Sequence, residues 1–256
     1  MRSEENTITI RTYGVLTACI LLAMAGAGSD VVQARSLYTI SGDSGEPSPI
    51  AAYDIAPDGT LTFQTQTLLP YGAVGLAADW TSGALFVACE TSDALQLFDA
   101  QTMADIGRIN AMGTEDLAAI VYDPTKDLLY AIDHGIEMLR IFAWSPGTGQ
   151  LIPTFESPMA LDGSTIHRID LDAEGGLLYA ADGSRTIRAY DASDGSVVRT
   201  ICLDHPATCV AVDVSNRLLY TGAGSLADLH LRQYDMSTGE NRAVPIDAEA
   251  GVAALG

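Results

Sequence analysis

Lysine is all but missing from this chain. Lys126 is the only one in 256 residues, and Lys+Arg total 13 against 33 Asp+Glu, a formal net charge of −20. A surface so short of cations repels phosphate backbones and anionic headgroups, so nucleic acid is not an expected partner. Cysteine is sparse at four, with no Cys-x-x-Cys pair, and the chain holds no Gly-x-Ser-x-Gly, His-Glu-x-x-His or phosphate-binding glycine loop. Catalysis would then need a site assembled from scattered loops. Long hydrophobic runs are missing as well. Residues 14–28 (GVLTACILLAMAGAG) form an apolar run of about 15 residues, short of the roughly 20 that a spanning helix needs.

That run follows Arg2 and Arg11 and precedes Val32-Gln33-Ala34, a small-residue pattern that suits a signal peptidase. Residues 1–34 are therefore expected to be a signal peptide cleaved after Ala34. Residues 35–256 would then form the mature, extracytoplasmic protein, secreted or periplasmic, with no membrane span. Cleavage takes away two basic and three acidic residues and leaves the charge near −19.

A repeat organises the rest. An apolar strand ending in Asp, a short turn, a Leu-aromatic strand, a loop and an alternating third strand recur with Asp anchors at Asp79, Asp123, Asp172 and Asp213, spaced by 44, 49 and 41 residues. The second strands share Leu-aromatic pairs at Leu85-Phe86, Leu129-Tyr130, Leu178-Tyr179 and Leu219-Tyr220. The third strands read Leu95-Gln96-Leu97-Phe98, Leu139-Arg140-Ile141-Phe142, Ile187-Arg188-Ala189-Tyr190 and Leu231-Arg232-Gln233-Tyr234. Turns such as Ser193-Asp194-Gly195 and Ser237-Thr238-Gly239 close each third strand. Four short strands per unit, without helical periodicity, predict an all-β fold: a β-propeller of four-stranded antiparallel blades with about five blades visible.

The N-terminal stretch matches strands two to four of a blade, at Leu37-Tyr38-Thr39-Ile40, residues 50–54 and residues 61–68, and lacks a first strand. Residues 251–255 resemble the missing one. Two arrangements follow: a closed ring of five blades joined through that C-terminal strand, or the N-terminal part of a larger propeller.

Residues 177–191 and 216–220 resemble the YVTN and NHL classes of β-propeller repeat, within the WD40/YVTN-like superfamily. The resemblance covers nearly all of residues 35–256 and implies the fold more than an activity. Propellers of this kind tend to have seven blades, and they include binding platforms, cell-surface proteins and some lactonases and lyases.

Repeat alignment puts Glu90, Asp133, His134 and Asp182 just after second strands, where hard oxygen ligands at a channel mouth could hold Ca²⁺ or Mg²⁺. His167, Arg168 and Asp170 replace the apolar residues of other first strands, so they would face the channel or a ligand, and Arg168 could clamp a carboxylate. His205, in the loop entering the fourth repeat, falls on the same side as His134. Cys202 and Cys209, six residues apart, are candidates for a disulfide in an oxidising compartment. These readings give a secreted binding or interaction module for a small-molecule or protein ligand. The alternative is a metal-dependent lactonase- or lyase-like enzyme.

Overall fold

A four-stranded unit with apolar residues on both faces can bury them only by stacking against like units, and stacking around an axis is the propeller solution. The computed structural model describes residues 19–22, 35–40, 47–56, 58, 60–69, 72–89, 94–110, 117–154, 159–161, 166–222, 230–242 and 246–247. They form five antiparallel sheets, with no helix among the described residues. Blade one holds β1 (Cys19–Leu22), β2 (Arg35–Ile40), β3 (Ser48–Ile55) and β4 (Leu61–Leu69). Blade two holds β5 (Ala73–Asp79), β6 (Ala84–Cys89), β7 (Ala94–Asp99) and β8 (Asp105–Asn110). Blade three holds β9 (Leu117–Asp123), β10 (Leu128–Asp133), β11 (Met138–Ser145) and β12 (Gln150–Pro153), with β13 (Met159–Ala160) also paired to β11. Blade four holds β14 (Arg168–Asp172), β15 (Leu177–Ala181), β16 (Thr186–Asp191) and β17 (Val197–Cys202). Blade five holds β18 (Cys209–Asp213), β19 (Leu218–Gly222), β20 (His230–Asp235) and β21 (Ile246–Asp247). The innermost strands follow one another in the order β1, β5, β9, β14, β18.

Period-two alternation explains the stacking, because successive side chains of a strand serve opposite seams. On β6, Leu85 and Val87 pack with Tyr38, Ile40 and Ile50 of blade one. Phe86 and Ala88, one residue on, pack with Leu117, Tyr122 and Trp144 of blade three. On β15, Leu178 and Ala180 join Tyr130 and Ile132 of blade three, while Tyr179 and Ala181 join Val210 and Tyr234 of blade five. Each fully buried large side chain contributes about 1.5–3 kcal/mol. The seams are tight near the axis: a Cβ on Gly75 would lie 2.7 Å from the Ala118 carbonyl oxygen, so only glycine lets β5 approach β9 here.

The anchoring aspartates hold the turns. The carboxylates of Asp79, Asp123, Asp172 and Asp213, ending first strands, accept backbone N–H bonds from Thr81, Thr125, Gly175 and Asn216 at 2.7–3.0 Å. Third strands use the same device, with Asp99, Asp191 and Asp235 accepting from Thr102, Ser193 and Ser237 at 2.7–2.8 Å. These are Asx turns, in which a side chain replaces the backbone acceptor. Both sets lie at one end of the strands, since the register aligns Asp172, Leu177 and Asp191 across blade four.

Two expectations are revised. Blade one was expected to lack an innermost strand, yet in the full-length chain Cys19–Leu22, from the apolar run of the expected signal, pairs antiparallel with β2. The run supplies backbone partners to a β2 edge that would otherwise leave its N–H and C=O groups unpaired. The C-terminal strand expected there, residues 251–255, lies outside the described residues. The expected Cys202–Cys209 bridge is also not formed, both thiols being free. The connection between them crosses from β17, at the rim of blade four, to β18, at the axis of blade five, so it spans a distance rather than closing a loop. Cys202 is exposed, and buried Cys209 donates to the Gly222 carbonyl at 3.4 Å.

Candidate functional site

The strand ends opposite the Asx turns carry the residues that alignment grouped at a channel mouth. Asp133 ends β10 and its side chain is wholly buried, with Arg140 Nε of β11 at 3.0 Å from Oδ2. Its other oxygen, Oδ1, is buried without a hydrogen-bond partner. Asp182 repeats the arrangement one blade on. Arg188 Nη1 of β16 lies 2.6 Å from Asp182 Oδ2, and Ser184 N donates to Oδ1 at 2.9 Å. Burial pulls the Arg188 guanidinium down, but the Asp182 hydrogen bond and charge outweigh it and hold Arg188 above its ordinary value.

The carboxylates expected as cation ligands are thus turned to arginines. Asp133, His134 and Asp182 are not brought together as a ligand set, and no group of three His, Cys, Asp or Glu that could hold a metal occurs among the described residues. Glu90 lies outside the described residues. The acid–arginine pairs were legible in the repeat, since Arg140, Arg188 and Arg232 share one third-strand position, where blade two has Gln96.

Beside the pairs, two of the four histidines meet an arginine. His134 Nε2 lies 2.6 Å from the Ile166 carbonyl, which accepts only, so Nε2 carries the proton. The His134 and His167 rings stand at 90° with centroids 6.4 Å apart. His167 passes close to Gly183, where a Cβ would sit 3.2 Å from Nε2. Burial, then the charges of His134 and Arg168, push the His167 imidazole below its ordinary value, with Asp182 opposing. Arg168, first residue of β14, donates from Nη1 to the His167 carbonyl at 2.7 Å, while its Nε is buried with no acceptor. These residues come from the β10–β11 loop, the entry to β14 and the β15–β16 loop, and the Gly183 N–H donates to Ala207 O in the entry to β18.

Asp170 and His205 play other parts. Asp170 accepts from Val212 N of β18 at 2.6 Å and from Leu171 N at 2.8 Å, joining blade four to blade five. Burial raises its carboxyl to about 6, against the pull of those two N–H groups. His205 lies in the β17–β18 connection, whose Ala207 accepts from Gly183 N and donates to Ser184 O at the same strand ends. The His205 Nδ1 lies 3.1 Å from Asp204 Oδ1, and the Tyr234 hydroxyl and Asn241 Nδ2 donate to Asp204. Burial raises the Asp204 carboxyl, but these donors outweigh it and hold the group far below the usual range. This cluster belongs to the seam between blades four and five.

No protein-family model matches the chain. A curated relative is the pre-rRNA-processing protein crb3/ipi3 of Schizosaccharomyces pombe, 43% identical over 47 residues, which is 18% of this chain and 10% of that protein. The matched stretch is about as long as one repeat and covers a small part of either protein. The architecture is a five-bladed, all-β propeller of antiparallel sheets, consistent with the WD40/YVTN-like superfamily, a fold that suggests a binding or interaction module.

Proposed function

We propose that this protein is an exported binding module that takes up a ligand at the channel mouth of blades three and four. One observation carries the reading: Arg168, beside the imidazoles of His134 and His167, holds a buried donor with no acceptor. Buried polar groups in native proteins are nearly all paired, so an orphaned guanidinium N–H marks a place where something else supplies the partner. The opposite strand ends offer a contrast in most blades, the carboxylates of Asp79, Asp172 and Asp213 being engaged by backbone N–H groups of their own turns, while Asp123 there keeps a buried Oδ2 without a hydrogen bond, 3.7 Å from Lys126 Nζ. Export rests on residues 14–28 and the Val32-Gln33-Ala34 site.

The binding reading is tested by a thermal-shift screen of small charged and neutral compounds. A compound that binds only the folded state stabilises it, by about 2.7 kcal/mol at 100 times its dissociation constant. Hits should lose their effect in His134→Ala and keep it in Asp99→Asn, which alters an Asx turn at the other end. Hits indifferent to His134→Ala would overturn the location. Export is tested by N-terminal sequencing of the protein from culture medium or periplasm, which should begin at Arg35.

A further inference from the structure

Resting on that reading of the mouth, we propose that its ligand presents a carboxylate, received side-on by Arg168 with the imidazoles of His134 and His167 beside it. The guanidinium geometry selects the class. Nη1 of Arg168 is taken by the His167 carbonyl, so the edge formed by Nε and Nη2 is the one left for a ligand. Two parallel N–H bonds from that edge match the two oxygens of a carboxylate. No acid among the described residues fills the role. Asp133 and Asp182, the two carboxylates of this mouth, are held by Arg140 and Arg188. Asp170, two residues along β14, is occupied by the N–H groups of Val212 and Leu171. Among the described residues the mouth sets Arg140, Arg188 and Arg168 against Asp133 and Asp182, with Asp170 two residues along β14, so cations and carboxylates balance there in a chain of net charge −20. An acidic ligand would meet less repulsion there than the net charge of the chain implies. His134 spends its Nε2–H on the Ile166 carbonyl, so of the two rings it is His167 that can turn an N–H to a ligand.

The probes are succinate, its neutral isostere succinamide, and a tetrapeptide with its C-terminus either free or amidated. Each is titrated against the full chain by melting temperature and calorimetry. Succinate or the free-acid peptide should raise the melting temperature, and succinamide and the amidated peptide should not. The first separates a small organic acid from the second, a peptide C-terminus. Arg168→Gln should abolish the shift. Arg168→Lys, which keeps the charge and loses the fork, should weaken binding at least about tenfold, and circular dichroism checks that both variants remain folded. Absence of any shift up to about 100 mM carboxylate, or equal shifts in wild type and Arg168→Gln, would overturn the assignment. Should neutral compounds instead stabilise the protein in a His134-dependent, Arg168-independent way, the mouth remains a binding face and the carboxylate is wrong. Should no compound do so, both fall.

Discussion

The two ends of the blade strands use aspartate differently, although Asp182 at the mouth also accepts from a backbone N–H two residues on and Asp235 at the turn end also meets an arginine, Arg242. At the turn end, Asp79, Asp99, Asp172, Asp191, Asp213 and Asp235 accept hydrogen bonds from backbone N–H groups two or three residues on. At the mouth end, Asp133 and Asp182 face arginines from the neighbouring strand. The first arrangement is local and survives in any blade that repeats the turn sequence. The second needs two strands in register, and blades three and four show it because acid and arginine occur together there. Much of the acidic composition is therefore architectural, and a negative net charge here reports turn chemistry as much as solubility.

The largest way to break the contrast is Arg140→Met. It leaves a wholly buried Asp133 carboxylate without its cation, and removing one partner of a buried pair costs roughly 3–5 kcal/mol. Urea denaturation should show that loss, and adding Asp133→Asn should restore most of it. A loss under about 1 kcal/mol would mean that the pair behaves like an exposed one. The turn end should respond less. Asp79→Ala removes the acceptor for Thr81 N, Ser82 Oγ and the Trp144 indole N–H from blade three, and about 2 kcal/mol is expected, mostly from the buried Trp144 indole left without an acceptor.

The fold was legible because its signals are local. Aspartate, a turn and a Leu-aromatic pair recur along the chain, and each repeat folds into one sheet whose alternation decides which seam each residue enters. Asp133 and Arg140 needed one further step: comparing the same position across third strands. The cysteines were misread because sequence distance says nothing about the path from rim to axis, which puts Cys202 and Cys209 in different blades. The first strand of blade one was not foreseen in residues 19–22 of the full-length chain. A run that looks like an export signal is also a good strand, and a free β2 edge accepts it. The orphaned Arg168 Nε had no sequence signal beyond an arginine in an apolar strand.

Acid separates the two ends further. Hydrogen bonds lower the carboxyls of Asp99, Asp191, Asp213 and Asp235, and lower Asp79 against the cost of its burial. A depressed folded value means stability that is present above the ordinary carboxylate range and lost as pH falls through the lowered value. Unfolding midpoints should hold from pH 7 to about 5 and drop below about 4. Asp170 runs the other way. Its carboxyl is raised to about 6, so its contribution is full below the ordinary value and shrinks as pH rises through 6. The stability difference between wild type and Asp170→Ala should narrow between pH 4 and pH 7. A difference that widens would mean that the ionised carboxylate is the form the Val212 and Leu171 N–H groups favour.

The smallest effect tests the turns themselves. Equivalent turn-closing positions hold Gly83 at φ 73° and Arg217 at φ 58°, both in the left-handed region. A side chain there costs about 1–2 kcal/mol of backbone strain. At Gly83 an added Cβ meets nothing within 4 Å, so Gly83→Ala should lose about 1 kcal/mol from backbone strain alone. Arg217→Gly relieves the same strain and gives up an exposed hydrogen bond from Nη2 to Ser237 Oγ. The relief exceeds the loss, because an exposed bond contributes little once water can replace it. A gain of about 0.5 kcal/mol is expected. If Arg217→Gly instead destabilised as much as Gly83→Ala, the side chain and not the backbone would be holding that turn, and blade five would be closed by a contact that the other blades do not use.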